Sequence, residues 1–307
     1  MKIFYSIDDI QIEQSTMLTV GSFDGVHLGH QQIIKQLNAL SGDSNSLEVL
    51  VTFHPHPKEV LSPAGDRSVE LLTPLEEKLR LLEKLGLPVI TVLPFTREFS
   101  KTGYREFVTN ILIKKLKMKK MVIGHDHTFG RNREGHAEQL EELGKSADFS
   151  VTVIQPFFLG KEIVSSSRIR QLLKSGEVEI ANKLLGRKYS IQGIVEKGEN
   201  RGTTLGFPTA NIRPSSPNKL IPKKGVYAVE VELSGQRYRG MMNIGHRPTF
   251  NFDPLTLEVH IFNFSGLIYG ESIEVSCKKF IREEMKFRNP EELKSQIEKD
   301  KKMCFKL

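Results

Sequence analysis

The sequence predicts an open, mostly parallel α/β sheet covered by helices, followed by an antiparallel β-barrel closed by a C-terminal helix. Three observations carry that expectation. Strand-like and helix-like segments alternate up to Leu185, the pattern of a parallel sheet with crossover helices. Strand follows strand from Gly186 onward, as in closed antiparallel sheets. The longest apolar stretches, such as Val151–Ile154 and Pro156–Leu159, are strand-sized and far short of the roughly 18 residues a membrane span needs.

The length of 307 residues suits two domains at roughly 150 residues each. The change of pattern puts the expected boundary between 1–185 and 186–307. A hydrophobic content of 38% is ordinary for a globular chain and excludes a largely disordered one. Asp8, Asp9 and Glu13 stand where a signal peptide would have its apolar core, so a cytoplasmic protein is expected. The two cysteines, Cys277 and Cys304, form no CxxC or Cys/His spacing, which argues against a disulfide framework or a structural zinc site.

In chain order, Met17–Phe23 reads as a buried strand. Gly21, Gly25 and Gly29 punctuate the turn after it, and the helix HQQIIKQLNAL follows with Ile33, Ile34, Leu37 and Leu40 at helical spacing. Leu47–Phe53 is a second strand. Thr73 as N-cap and Pro74 in the first turn open a helix with the stripe Leu75, Leu79, Leu82 and Leu85, stopped by Gly86. PVITVLPF, KMVIG and Phe149–Ile154 read as further strands, separated by helices at Tyr104–Lys117 and Gly135–Leu143. In the second half Val226–Leu233 alternates, Ser234-Gly235 makes a hairpin turn into QRYRGMMNIG, and Leu257–Ile261 and Ile273–Cys277 alternate again. Asn289-Pro290 caps a final helix.

Charge separates the halves. Up to Leu185 there are 23 basic and 23 acidic side chains, and beyond it 21 and 14, so the net +7 belongs to the second half. A basic domain suits an anionic partner, either nucleic acid or a phosphorylated small molecule. No aromatic-interleaved basic stripe or RNP-like motif accompanies the charge, which disfavours RNA.

Standard nucleotide loops are missing. No two glycines lie two positions apart, and Gly144-Lys145-Ser146 has Gln139 where a P-loop needs its first glycine. The run GSFDGVHLGH at 21–30 offers another apparatus. It lies between a buried strand and a helix start, where amides and the helix dipole favour phosphate. His27 and His30 bracket Leu28-Gly29; Gly29 leaves room for a phosphate, and two imidazoles can donate to the oxygens of a phosphate under attack. Two histidines at a surface turn is the plainer reading of the pair alone; the full HxGH pattern in this setting favours the chemical one. His54 and Pro55, in FHPHP after the second strand, are expected to shape a pocket wall. Asp126 lies in the polar GHDHTFG run, and Ser166, Ser167 and Arg170 open a helix where hydroxyls, dipole and guanidinium can meet an anion. Glu258, between Leu257 and Val259, points away from the apolar face, where a carboxylate can accept a hydroxyl proton; taken alone, one more solvent-facing strand glutamate, like Glu230 and Glu274, is the plainer reading. Thr209 and Asn211 share one side of an extended segment, which suits two oxygen ligands for one Mg²⁺.

GSFDGVHLGH, FHPHP, GHDHTFG and SSSRIR, in this order, resemble the Rossmann-like HxGH nucleotidylyltransferases, most closely the N-terminal module of the prokaryotic bifunctional riboflavin kinase/FMN adenylyltransferases, or FAD synthetases. GENRGTTLGFPTANI, IPKKGVYAVEVE, MMNIGHRPTF, LEVHIFNF and the C-terminal helix resemble their riboflavin kinase module. The resemblance implies two ATP-dependent reactions: phosphorylation of riboflavin to FMN with release of ADP, then adenylylation of FMN to FAD with release of pyrophosphate, both with Mg²⁺. It implies catalytic roles for His27, His30 and Glu258, phosphate or ATP contacts at Gly21, Phe23, Gly29, Ser166, Ser167, Arg170, Gly198, Arg201 and Gly202, substrate contacts at Asp126, and Mg²⁺ at Thr209 and Asn211. It implies neither a nucleic-acid nor a membrane partner. Ser167 replaces the usual Thr and keeps the hydroxyl, whereas His127 replaces a common Phe and bears on flavin or adenine stacking. The alternatives are a single-activity FMN adenylyltransferase, or another HxGH transferase with a silent second domain.

Overall fold

Apolar runs long enough to be covered on both faces become the central strands of a parallel sheet. A computed structural model describes residues 1–42, 46–62, 69–125, 127–131, 134–198, 206–246 and 255–307. The chain forms two compact units, Met1–Ser165 and Ser166–Leu307.

In the first unit, β1 (Lys2–Phe4), β2 (Thr16–Val20), β3 (Leu47–His54), β4 (Val89–Pro94), β5 (Met118–Gly124) and β6 (Ser150–Ile154) form one sheet in the order β1-β4-β3-β2-β5-β6. Every pairing in it is parallel. All five residues of β2 are buried. The helices α1 (Leu28–Gly42), α2 (Pro57–Leu61), α3 (Leu75–Glu83) and α5 (Ala137–Ala147) lie in the crossovers. Leu18, Val20, Val49 and Met121 pack in one core, and Met17, Leu50, Leu82 and Ile90 in another, so alternate residues of each strand serve opposite faces.

Three expectations change in detail. The first strand ends at Val20 rather than Phe23, because the Gly21 amide turns to the Val51 carbonyl (2.9 Å) and Phe23 takes a left-handed φ of 47°. Thr73 does not cap α3: Pro74 holds the N-cap position with no side-chain bond, and the Thr73 hydroxyl accepts from the Gly25 amide instead (2.8 Å). The helix expected at Tyr104–Lys117 begins as α4 (Tyr104–Glu106) and widens to a π-helical segment, Phe107–Ile113, where Lys114 N–H reaches the Thr109 carbonyl (3.1 Å). The hairpin β7 (Phe158–Leu159) with β8 (Glu162–Ile163) completes this unit.

In the second unit, α6 (Ser166–Ser175) and α7 (Val178–Leu185) precede β9 (Tyr189–Glu196), β10 (Ala210–Pro214), β11 (Gly225–Leu233), β12 (Gln236–His246), β13 (Leu255–Ile261) and β14 (Ser272–Arg282). These six strands close an antiparallel barrel in the order β10-β13-β12-β11-β14-β9. Ser234 and Gly235, both at positive φ, make the two-residue hairpin between β11 and β12. The last helix, α8 (Pro290–Lys306), starts at Asn289, whose Oδ1 accepts from the Glu292 amide (2.8 Å). Buried Asp300 on α8 takes a multidentate bond from Arg282 at the end of β14.

Candidate active sites

In an open parallel sheet, ligands bind beyond the carboxyl ends of the strands where the strand order reverses. Here that point lies between β2 and β5, so the turns after these two strands, GSFDGVHLGH and the segment from Gly124, flank it. The first turn is conformationally demanding. Phe23 (φ 47°), Gly25 (93°) and Val26 (40°) are all left-handed, and a β-branched residue there is a true outlier that neighbouring structure must hold in place. The restraints come from distant segments. Asp24, 1% exposed, accepts from the amides of Leu72 (3.1 Å) and Thr73 (2.9 Å). The ammonium of Lys78 on α3 donates to the Ser22 carbonyl (2.8 Å) and to Thr52 Oγ1 (3.2 Å). Burial pushes the Lys78 pKa down to about 8, with Asp24 and Glu59 pulling it back up.

This turn delivers both histidines. His27 is buried, and its ring stacks on His30 with centroids 3.6 Å apart and 17° between planes. The His30 amide donates to His27 Nδ1 (3.3 Å), so a neutral His27 carries its proton on Nε2. The Phe23 ring meets His30 edge-on at 5.1 Å. A Cβ at Gly29 would lie 3.2 Å from the His27 ring and 3.4 Å from the Val164 carbonyl, and one at Gly21 would lie 3.1 Å from the Phe23 ring. A side chain at either position would press on these neighbours, which would have to give by a few tenths of an ångström.

His54 and Pro55 are exposed and joined by a cis peptide at the end of β3. The neighbouring His56 is a helix cap: its Nδ1 accepts from the Lys58 amide (3.1 Å) while Glu59 accepts from the His56 amide (2.8 Å). His127 stands 5.4 Å from Phe129, which continues through Phe107 and Phe99 to Phe53 and Phe95 as a run of mostly edge-on rings under the loops after β3, β4 and β5. Asp126 lies outside the described residues. No group of three or more His, Cys, Asp or Glu suited to a metal occurs among the described residues.

In the second unit, Ser166 and Ser167 open α6 and Arg170 follows one turn on. The barrel assembles a second polar constellation by register. Glu258 on β13 stands directly opposite Asn211 on β10 and Asn243 on β12, and opposed residues share a face of the sheet. Leu257 and Val259 on either side are buried, while Glu258 is half-buried. A Cβ at Gly198 would fall 2.0 Å from Asn211 Nδ2. A Cβ at Gly245 would fall 2.1 Å from Glu284 Oε1 and 3.1 Å from Asn243 Nδ2, which places Glu284 beside this row. Thr209 is half-buried, and the carbonyl of Pro208 before it accepts a 2.8 Å bond from His260 Nδ1. Burial holds the His260 pKa below the usual histidine value. Arg201 and Gly202 lie outside the described residues.

Two family models match successive parts of the chain. The FAD synthetase model matches residues 9–168 and the riboflavin kinase model matches 185–307. The chain belongs to the bifunctional riboflavin kinase/FMN adenylyltransferase family. The member from Listeria monocytogenes is 41% identical over 98% of this chain and 96% of its own. The member from Bacillus subtilis is 38% identical over 95% and 92%. A crystal structure described as a macrolide-efflux protein from Streptococcus pneumoniae superimposes with a TM-score of 0.91 at 32% identity, over 100% of this chain and 99% of that one. No described helix of the present chain is long and apolar enough to cross a membrane. Within the bifunctional family's frame, the stacked histidines belong to the FAD synthetase module, and the Asn211–Glu258–Asn243 row to the riboflavin kinase module. Asp24, Thr73, Lys78, Asn243, His260 and Glu284 are the residues that sequence reasoning missed; each enters through a partner distant in the chain, which no local pattern announces.

Proposed function

We propose that the chain makes FAD from riboflavin in two ATP-dependent steps, each in its own functional module, residues 186–307 for the first and 1–185 for the second. The reading is carried by the two family models, which together span nearly the whole chain in this order.

In the first step the ribityl hydroxyl of riboflavin attacks the γ-phosphorus of ATP. Glu258 accepts the hydroxyl proton, the new O–P bond forms, and ADP leaves. Thr209 and Asn211 are the residues to hold Mg²⁺; their neutral oxygens, that of Asn211 on the strand position opposite the Glu258 carboxylate, fit a hard cation that takes oxygen ligands and keeps water. The absence of a side chain at Gly198 is what lets the Asn211 amide occupy its place. When bound, Mg²⁺ neutralises phosphate charge in the transition state. His260 fixes Pro208 and hence the approach of Thr209. Gly198, Arg201 and Gly202 contact nucleotide.

In the second step an FMN phosphate oxygen attacks the α-phosphorus of another ATP, and the bond to the bridging oxygen breaks to release pyrophosphate. His27 and His30 donate hydrogen bonds to the oxygens that gain charge, His27 through Nε2. Gly21, Phe23 and Gly29 shape the phosphate turn, with Ser166, Ser167 and Arg170 as phosphate contacts. His54, Pro55 and Asp126 contact substrate. The reactions take place in the cytoplasm, where ATP is available and Cys277 and Cys304 remain free thiols.

The test is a time course with purified protein, riboflavin, ATP and Mg²⁺, the flavins being separated by chromatography. FMN followed by FAD is the expected result. FAD from supplied FMN, with riboflavin untouched, would reduce the chain to an adenylyltransferase alone, and no product from either flavin would remove both steps.

A further inference from the structure

The turn that carries His27 and His30 holds three left-handed residues within Phe23–Val26, two of them not glycine. Such a conformation survives only where its surroundings over-determine it. Four restraints do so: the Gly21 amide on the Val51 carbonyl, the Asp24 carboxylate on Leu72 and Thr73, the Gly25 amide on the Thr73 hydroxyl, and the Ser22 carbonyl on Lys78. The last is unlike the others. Its donor is an ammonium with 4% of its residue surface exposed, whose charge the carboxylates of Asp24 and Glu59 favour. Thr52 Oγ1 accepts from the same ammonium (3.2 Å) and donates to the same Ser22 carbonyl (3.3 Å), closing a three-membered network between β3, α3 and the turn.

A buried ammonium is an expensive way to fill space. An apolar side chain of equal length would pack α3 without desolvating a charge. What the apolar chain cannot do is hold a backbone carbonyl in a fixed direction. Ser22 lies between Gly21, whose amide is tied to β3, and Phe23, whose ring meets His30. The direction of its carbonyl therefore sets where the backbone enters the left-handed stretch, and with it the seat of the stacked imidazoles.

We infer that Lys78 is a positioning residue for adenylyl transfer, acting through the Ser22 carbonyl to hold the turn that presents His27 and His30. The inference rests on the reading of that pair as the adenylyl-transfer groups.

The experiment compares wild type with Lys78→Met, measuring FAD formation from supplied FMN and ATP, FMN formation from riboflavin, and thermal unfolding. A displacement near 1 Å costs about 100-fold in rate. Lys78→Met is accordingly expected to lower kcat for FAD formation between tenfold and 100-fold, with KM for FMN within twofold and riboflavin phosphorylation unchanged. Thr52→Val, which removes the shared hydroxyl with little change in volume, keeps the question answerable if Lys78→Met does not fold; it is expected to lower the same kcat at least threefold with the same KM. Wild-type kcat in either folded variant overturns the inference, as does a loss of FAD formation that only tracks the loss of folded protein. A wild-type chain that forms no FAD overturns the reading beneath it, an outcome the variants cannot mimic.

Discussion

Gly198→Ala is a one-carbon test of the proposed kinase site. Gly198 is not in the left-handed region, so its backbone accepts alanine. The difficulty is purely one of space: the new Cβ would stand 2.0 Å from Asn211 Nδ2 and 2.8 Å from Cγ, where ordinary contact begins at 3.4 Å. The amide must therefore retreat by about 1.4 Å, which takes it out of the row with Glu258. A misplacement near 1 Å costs about 100-fold, or about 2.7 kcal/mol of transition-state stabilisation. The assay is the initial rate of FMN formation across a Mg²⁺ titration, with FAD formation from supplied FMN as a control in the same sample. The expected result is a roughly 100-fold loss of riboflavin phosphorylation and an unchanged adenylyl transfer. The cycle with Asn211→Ala sharpens it. If the clash with Asn211 is the whole cause, the double variant is no worse than Asn211→Ala alone, because nothing is left to collide. Full kinase activity in Gly198→Ala would refute the assignment of Asn211, whereas simple additivity in the cycle would trace the loss to the nucleotide contact proposed for Gly198 instead of to the clash.

His30→Ala should lower FAD formation by about 100-fold to 1,000-fold and spare FMN formation, while Glu258→Gln should do the reverse by a similar factor; loss of both activities in either folded variant would contradict separate sites. Asp24→Ala leaves two buried amides without their acceptor. At about 1–3 kcal/mol each, the melting temperature should fall by roughly 5 °C or more, and an unchanged melting curve would show that water replaces the carboxylate. Burial keeps the folded-state pKa of His260 below its value in the unfolded chain. The unfolded chain then binds more protons as pH drops below about 6.5, so stability is lost on that side. His260→Phe should flatten that acid limb in pH-dependent unfolding of the whole chain, and an identical slope in the variant would assign the loss to other groups.

The fold was legible wherever a period ran long enough to show a face. Leu75, Leu79 and Leu82 marked α3, and Val229 and Val231 marked β11. It was not legible where tertiary structure outweighed a local signal. Thr73 looks like a helix cap in sequence, yet its hydroxyl serves Gly25 and Asp24, some 48 positions away. The three residues of β1 are too few to show alternation and owe their conformation to pairing with β4. The apolar run from Phe107 fits an α-helix as well as the π-helical turn it forms, because both present a broad apolar side.

The two candidate sites differ in the same way, and the difference fixes how each can fail. His27, Gly29 and His30 lie within one turn, so their juxtaposition is written in four consecutive residues and survives any change that leaves the turn restrained. Glu258 acquires its neighbours only because β13 pairs with β12 from Gly240↔Ile261 to His246↔Leu255 and with β10 at Ala210↔Val259. Side chains alternate along a strand, so a slip of one residue would turn Val259 into the row and Glu258 into the core. The cost of burying that carboxylate and exposing Leu257 and Val259 is what forbids the slip. The same apolar alternation that closes the barrel therefore holds Glu258, the proposed kinase base, beside Asn211, and the proposed kinase site should be sensitive to core substitutions in β13 in a way the histidine turn is not.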